Sequence, residues 1–585
     1  MTPDLLHRVR EAHQRVSSAL LAGRGPDGYW TGELSSSALS TATAVIALAT
    51  VDCEAHATLI EGGLSWLAAH ANPDGGWGDT VRSRSNLSTT ALVWAAFGAA
   101  QADARFKTAD DGARAYLIRQ AGTLEQLVPA IEACYGQDRT FSVPITMTLA
   151  LSGRLGPDGW RRVRSLPFEL AVLPRGLFGV LRLPVVSYAL PALIAIGQVI
   201  HQRSGRWNPL RSLARGTTLD VLTTLQPDNG GFLEATPLTS FVTMSLAGMG
   251  LREHQVARRG VVFLRNAVRA DGSWPIDTNL ATWVTTLAIK ALSHQPGALC
   301  SAQGDRLRNW LAGQQYREEH PYTGAAPGGW AWTDLPGGVP DADDTAGALL
   351  ALKALGTGNS RLDPDLLQAA SNGVAWLLNL QNRDGGIPTF CRGWGTLPFD
   401  RSTPELTAHA LRAWNAWLPG LPSSLSQRVG RAAGRAMDFL KASQRDDGGW
   451  VPLWFGNEHA ADHENAVYGT AQVLLGLPDA AAACALRERG EQFLVANQNP
   501  DGGWGGMKGT PSSVEETALA VDALAGRSGS HGAVEQGAMW LVRAIGDERL
   551  TPAPIGLYFA RLWYFEQLYP LIFTTSALGR WLITH

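Results

Sequence analysis

An all-α fold made of two α/α barrels is what this 585-residue sequence predicts. Two observations carry the expectation. A helix ending in an aromatic residue and leucine is followed repeatedly by a glycine turn and a tryptophan. After each turn a second, almost wholly apolar helix opens around a threonine or serine. Helices apolar on nearly all sides are buried, so the simplest arrangement is a ring of inner helices inside a ring of outer ones. Repeats at this spacing mean a solenoid or a closed ring, and the chain is long enough for two rings.

In chain order, the turns are Asp74-Gly75-Gly76-Trp77, Asp271-Gly272-Ser273-Trp274, Gly328-Gly329-Trp330, Asp384-Gly385-Gly386-Ile387, Asp447-Gly448-Gly449-Trp450 and Asp501-Gly502-Gly503-Trp504. Weaker copies end at Trp30, Trp160 and Phe232. From Trp274 onward neighbouring copies lie 54 to 63 residues apart, room for a helix pair in each. Gln315, Gln381, Gln444 and Gln498 precede four of the turns. Glycine supplies the positive φ such turns need, and the glutamine can hydrogen-bond the turn while the tryptophan packs beside it, as structural glue. A change of character near residues 275–305 suggests one barrel over 15–292. The second covers 293–585 with the N-terminal segment 1–14, and the active site lies between them.

Composition narrows the function classes. Hydrophobic residues make up 45% and charged residues 17%, enough apolar surface for a large core. A net charge of −3 gives no argument for nucleic acid binding. The five cysteines are scattered without a CxxC pair, which suits a reducing compartment and disfavours disulfides or structural zinc. The N-terminal stretch has no apolar segment of signal-peptide type, and no apolar run reaches about 20 residues. Residues 166–200 come nearest, interrupted by Glu169, Arg175 and Arg182 and followed by Arg203, Arg206, Arg211 and Arg215. Such a stretch fits buried core or a surface dipping into one leaflet.

The chemistry is concentrated at the starts of the inner helices. Pro340 followed by Asp341, Asp343 and Asp344 opens one of them. Three crowded carboxylates cannot all ionise cheaply in a dry site, so the cluster can hold a protonated acid ready. The plainer alternative is an acidic helix cap. Aligning the inner helices on their threonines places Trp283, Asp343, Glu405, Tyr468 and Glu515 at one equivalent position, two residues earlier. These side chains are expected at one end of a barrel, facing a shared cavity. His409 lies one turn beyond Glu405 and is a partner for Asp343 from the neighbouring helix. His459 and His463 have i, i+4 spacing with acids nearby, which reads as a solvated polar loop before a metal site.

Asp341-Ala342-Asp343-Asp344-Thr345-Ala346 is similar to the DxDDTA signature of class II terpene cyclases. The Gln–Trp turns resemble those of squalene–hopene and oxidosqualene cyclases. The resemblance runs from about residue 15 to 580 and is most specific at Gly328–Trp332, at Leu406-Thr407-Ala408-His409 and at Ala466–Thr470.

It implies two barrels and a metal-independent, cofactor-free cyclase that protonates a linear isoprenoid, squalene first among the substrates. Asp343 is then the proton donor to a terminal alkene or epoxide, His409 its charged partner, and Asp341 and Asp344 its flanking carboxylates. Glu405 stands where an Asp is usual, and Tyr468 matches a tyrosine near the acid. Trp283, Trp332, Phe390 and Trp454 match aromatic positions of the cavity wall, with Tyr188 in place of a tryptophan. Tyr558 and Phe565 belong to an aromatic-rich C-terminal stretch that matches in kind. Aromatic faces stabilise a migrating carbocation by roughly 2 kcal/mol or more each when desolvated, without offering a base that would quench it.

Val284 departs from the acidic residue usual after that tryptophan, and the segment 455–467 is longer than expected. A lipid-borne substrate implies a peripheral, monotopic association with the cytoplasmic side of a membrane, with 166–215 as the docking patch; a homodimer is compatible with this.

A class II cyclase of a prenyl diphosphate or prenylated aromatic remains open; it would want a basic cluster at the far end of the cavity. A protein prenyltransferase β-subunit needs Asp, Cys and His around zinc, and no cysteine sits in a suitable repeat start. A partner-binding toroid would not require the acid triplet, the histidine and the aromatic helix starts at equivalent positions.

Overall fold

A computed structural model describes residues 3–136, 138–181, 183, 187–299, 301–356, 363–390, 398–557 and 560–585. Twelve helices organise it: α1 (Pro3–Ala22), α2 (Ala38–Asp52), α3 (Leu87–Ala99), α4 (Arg139–Leu151), α5 (Leu190–Arg203), α6 (Thr236–Gly248), α7 (Ala281–Leu292), α8 (Ala342–Leu355), α9 (Pro404–Trp417), α10 (Ala466–Gly476), α11 (Val514–Leu524) and α12 (Tyr569–Thr584). Helices α2, α3, α4, α5 and α6 pack in sequence, and α6 returns onto α2. Helices α7 to α12 do the same, and α12 returns onto α7. These are two closed inner rings. Helix α2 shows why: from Ala38 to Leu48 every residue is buried, so it has no solvent face to offer.

The repeat turns join outer to inner helices by one recurring bond. The backbone N–H of Trp77, Trp330, Ile387, Trp450 and Trp504 donates to the hydroxyl of Thr90, Thr345, Thr407, Thr470 and Thr517, at 2.9–3.0 Å. The indole N–H of each tryptophan caps the preceding outer helix: Trp450 Nε1 donates to the Leu440 carbonyl at 2.9 Å. The glutamine spans two repeats. Gln444 Nε2 donates to its own turn at Gly448 O and to Leu486 O on the next outer helix, at 2.9 and 3.0 Å. At Gly448 φ is +91°, and a Cβ would meet the Arg489 carbonyl at 2.5 Å, so only glycine fits. Trp160 is different: it sits in the short helix Gly159–Arg162 and makes no bond of this kind.

Two of these bonds close the rings. Trp274 N–H donates to Thr41 Oγ1, tying the last turn of the first barrel to its first inner helix. Trp30 N–H donates to Thr285 Oγ1, and α1 packs on α12 as an outer helix of the second ring. Ser36–Ser37 pairs antiparallel with Trp274–Pro275 where the chain passes between barrels. Ring membership therefore differs from the expected division. All of α1 and all of α7 belong to the second ring, and we place the boundaries at the Ser37–Trp274 pairing rather than at 14/15 and 292/293.

The apolar expectation for 166–200 divides in two. Phe168, Ala171, Phe178 and Tyr188 are buried, as is most of α5, whereas Val172, Leu177, Val180 and Leu181 stand out in solvent. No described helix is long and apolar enough to cross a membrane.

Replacing Thr470 by valine keeps its shape but leaves the buried Trp450 N–H without its acceptor. We expect a loss of about 2 kcal/mol, the scale of one orphaned buried donor, read as a lower midpoint of urea unfolding.

Candidate active site

The turn bonds set where each inner helix starts, and so where its first side chains point. At α8, Trp330 reaches Thr345 while its carbonyl accepts from Asp341 N–H at 3.0 Å. Asp341 is the N-cap, in extended conformation, accepting from the Asp344 N–H at 2.9 Å. Asp343 lies in the first turn. Its Oδ1 is 2.5 Å from Nδ1 of His409 on α9. Asp343 keeps 23% of its side chain accessible and His409 16%, the half-buried exposure of groups that face a cavity.

That cavity measures about 30 Å³, the volume of about one water. Trp283, Asp343, Glu405, His409 and Tyr468 all border it. Four of the five aligned positions thus meet around one space. The fifth, Glu515, is turned away: its Oε1 accepts from Ala553 N–H at 3.0 Å.

Burial divides the three aspartates. Asp341 and Asp344 are enclosed and hydrogen-bonded to each other. Desolvation raises Asp341 to about 7 and lifts Asp344 well above the usual carboxylate range, reinforced by the charge of Asp341. They form a capping pair behind the helix start that holds on to a proton. Asp343, with a histidine against one oxygen and the cavity beside it, is the member of the triplet placed for proton chemistry.

Glu405 Oε1 accepts the Leu453 N–H at 2.7 Å. Burial first, then the nearby Asp343 charge, push it up to about 7. The Tyr468 hydroxyl is buried and paired with Gln472, and Phe455 packs on its ring at 4.5 Å.

The aromatic residues collect between the barrels. Trp283 donates its indole N–H to Tyr569 Oη at 2.7 Å and its backbone N–H to the Trp332 carbonyl at 3.0 Å. Trp332 Nε1 donates to Asp277 Oδ2 at 2.6 Å, and Trp454 Nε1 to Thr389 Oγ1 at 3.2 Å. Both tryptophans pack against the cores of both barrels. Phe390 meets Tyr188 at 5.4 Å and Trp454 at 6.3 Å. Phe565 is buried and tied through its backbone to Ser35, with the Arg82 guanidinium 5.4 Å from its ring centre. Tyr558 lies outside the described residues.

Two stretches of the sequence match known families. Residues 13–206 match the squalene-hopene cyclase N-terminal domain, and residues 280–582 the squalene-hopene cyclase C-terminal domain. The chain belongs to the squalene-hopene cyclase family.

Similar proteins include enfumafungin synthase of Hormonema carpetanum, 26% identical over 96% of this chain and 47% of that protein. Squalene hopane cyclase of Aspergillus fumigatus is 31% identical over 38% of this chain and 35% of its own length. This chain spans less than half of each of these relatives. Among solved structures, ent-copalyl diphosphate synthase from Streptomyces platensis shares the fold, with a TM-score of 0.53, 18% identity and 99% of both chains covered.

Within this family member, sequence reasoning missed several cavity and wall residues. Phe399 packs on Tyr188, Phe390 and Trp454 at 5.2–5.5 Å. Phe573 borders the cavity from α12. The threonine alignment would have found Phe573 had it been extended to Thr575, two residues on. Tyr564 and Tyr569 are near enough to feel the charge of Asp343; Tyr564 stood in the C-terminal stretch already noted for its aromatics, and Tyr569 lies just beyond it.

The segment 455–467 runs as a loop up to the start of α10, with His459, Ala461 and Asp462 exposed at its tip and its ends pinned by buried asparagines. Asn457 and Asn465 both donate to Glu516 Oε1, at 3.0 and 2.9 Å, and Asn465 caps α10 just ahead of Tyr468. His463 packs edge-on against Trp563 at 5.5 Å. Among the described residues no group of three His, Cys, Asp or Glu could hold a metal ion.

Glu405 gives a pH signature. Its folded pKa of about 7 lies above the unfolded value of 4.5, so the fold loses stability as pH rises from 4.5 to 7 and the deficit is constant above that. Glu405→Gln keeps the oxygen that accepts Leu453 N–H and removes the titration. It should match wild type at pH 4 and exceed it by about 3 kcal/mol at pH 8, compared by urea unfolding at the two pH values.

Proposed function

We propose that the chain catalyses protonation-initiated cyclisation of a linear isoprenoid, with squalene, leading to a pentacyclic hopene or hopanol, as the preferred substrate. The observation that carries this reading is the 2.5 Å Asp343–His409 pair beside an aromatic wall. A neutral alkene is a very poor base, so its proton donor must be strong and kept dry. His409 as imidazolium donates into Asp343 Oδ1, which withdraws electron density from the carboxyl group and leaves Oδ2 to carry the acidic proton. That proton goes to the less substituted carbon of the terminal C=C, which leaves a tertiary cation, and each further π bond in turn closes a ring on that cation. The final cation loses a proton or takes up water.

The neighbouring groups suit that chemistry. Trp283, Tyr468 and Phe573 border the cavity beside Asp343, and Trp332, Phe390, Phe399, Trp454 and Tyr188 form an aromatic cluster between the barrels whose π faces would serve a migrating cation. Burial shifts Asp341, Asp344 and Glu405 toward the neutral acid, so below pH 7 they offer little carboxylate to capture it. Cyclisation of a prenyl diphosphate is the competing reading, in keeping with relatives such as copalyl diphosphate synthase of Streptomyces cyslabdanicus, 28% identical over 58% of this chain.

A lipid surface is the source of substrate on this reading. Trp207, just before the helix Pro209–Leu225, and Leu210 and Leu213 within it are 82%, 70% and 82% exposed, and the helix packs on the turn that ends at the exposed Val172. Arg175 and Arg215 flank this apolar patch in sequence.

Purified protein in detergent should convert squalene to a cyclic isomer or its hydrate, identified by mass spectrometry, and Asp343→Asn should lower the rate by at least about 10³-fold. Conversion of geranylgeranyl diphosphate instead would move the substrate to the diphosphate class. Equal product from wild type and Asp343→Asn would remove Asp343 from the mechanism. The triple variant Trp207→Ser, Leu210→Ser, Leu213→Ser should stay at the bottom of a flotation gradient with vesicles that carry wild type upward.

A further inference from the structure

Each turnover consumes the proton on Asp343, so it must be replaced from solvent without opening the dry substrate side. The second barrel carries groups along its axis that fit this task. The cavity beside Asp343 and His409 is bordered on its far side by Lys290 of α7, Gln472 of α10, and Asp522 and Ser576 of α11 and α12. Asp522 continues the line: Ser576 Oγ donates to its Oδ2 at 2.7 Å, and Arg580 Nη1 lies 3.4 Å from its Oδ1. Arg580 is 27% exposed, which brings this polar line from the acid to solvent at the opposite end of the ring.

The residue types along it are unequal. Only five of the 49 basic residues in the chain are lysines. The other cations of the cluster, Arg412 and Arg580, cannot give up a proton in a protein; an ammonium can. Asp522 is charge-paired with Arg580 and accepts a hydrogen bond from Ser576, while no side chain among the described residues hydrogen-bonds or ion-pairs with the Lys290 ammonium.

We propose that Lys290 relays the replacement proton, taking it from solvent at the Arg580 end of the axis and passing it through the water-sized cavity to the Asp343–His409 pair. The inference rests on Asp343 being the acid. In the step, the Lys290 ammonium releases H⁺ to a water in the cavity, which delivers H⁺ to the Asp343 carboxylate. The Lys290 amine then takes H⁺ from solvent. Proton and charge balance at each stage, with no other reactant.

The charges around Lys290 set its protonation. Desolvation and Arg412 drive the ammonium down, Asp522 opposes, Arg580 drives it down and Asp343 opposes, leaving it at about 7. His294 at the end of α7, buried and held below its usual range, adds no fixed charge at neutral pH. Glu405, His409 and Tyr468 border the same cavity from α9 and α10. An amine poised there exchanges protons in both directions at neutral pH.

Two measurements test the relay. With lysine labelled at Cε, the resonance missing in Lys290→Met should titrate near pH 7. A Lys290 signal that moves only near the ordinary lysine value of about 10.4 overturns the relay, whether or not turnover is seen. The second compares first and later turnovers, using squalene and geranylgeranyl diphosphate as probes. With enzyme in excess, Lys290→Met and Lys290→Arg should complete the first turnover within twofold of wild type. In steady state both should be at least tenfold slower, and the wild-type decline in kcat above pH 7 should be absent from both. Equal loss in both phases, or rescue by arginine, assigns Lys290 a structural or purely electrostatic part and overturns the proposal. Asp343→Asn should fail in both phases. A wild-type protein that cyclises neither probe defeats the proposed function, a result distinct from a failed titration.

Discussion

The hydrogen bond from the turn residue's N–H to a threonine hydroxyl on an inner helix is the constraint on which the rest of the molecule depends. It is buried and repeated, and it joins the one irregular element of each repeat to the first turn of the helix that follows. Because the threonine is two residues past the side chain that faces the axis, fixing the threonine fixes the direction of that side chain. Trp283, Asp343, Glu405 and Tyr468 converge for this reason, although they are spread over 186 residues of chain. A site built on helix starts held in this way needs little loop structure to position it.

Desolvation then sorts the polar groups that the scaffold gathers. Asp341, Asp344, Glu405 and Glu515 are all enclosed, and burial is the first cause of the upward shift in each. The electrostatic character of the site comes from what remains: one half-buried aspartate against one histidine, with aromatic side chains on the side of the other barrel. An arrangement with several ionised carboxylates would place nucleophiles and bases beside any cation formed there. Here burial, rather than substitution, shifts the neighbours toward the neutral acid.

Much of this was legible in the sequence because the repeats are close copies. The turns, the threonine register and the pairing of Asp343 with His409 all follow from spacing within a repeat or between adjacent ones. What was not legible depends on long-range closure. That α7 and the whole of α1 belong to the second ring follows from Trp30 meeting Thr285, a pairing 255 residues apart that no local pattern announces. Phe399 joins the aromatic wall from a segment outside the repeat register, and Glu515 leaves the shared cavity because the backbone at Ala553 offers its carboxylate a donor. Sequence spacing gives position along a helix; which of two neighbours captures a side chain is decided by packing.

The crossed closure of the second ring also bears on how the chain assembles. The first barrel is an insertion within the second, since α1 packs on α12 at the other end of the sequence. During synthesis the first barrel has all its own helices available early and can fold as a unit, while α1 carries Val9, Val16 and Leu20 with nothing yet to cover them. Those side chains wait for more than 500 residues of synthesis before their partner exists. The slow, non-local event of folding is therefore the docking of α1 onto α12, and until it occurs the ring that holds Asp343 is open on one side.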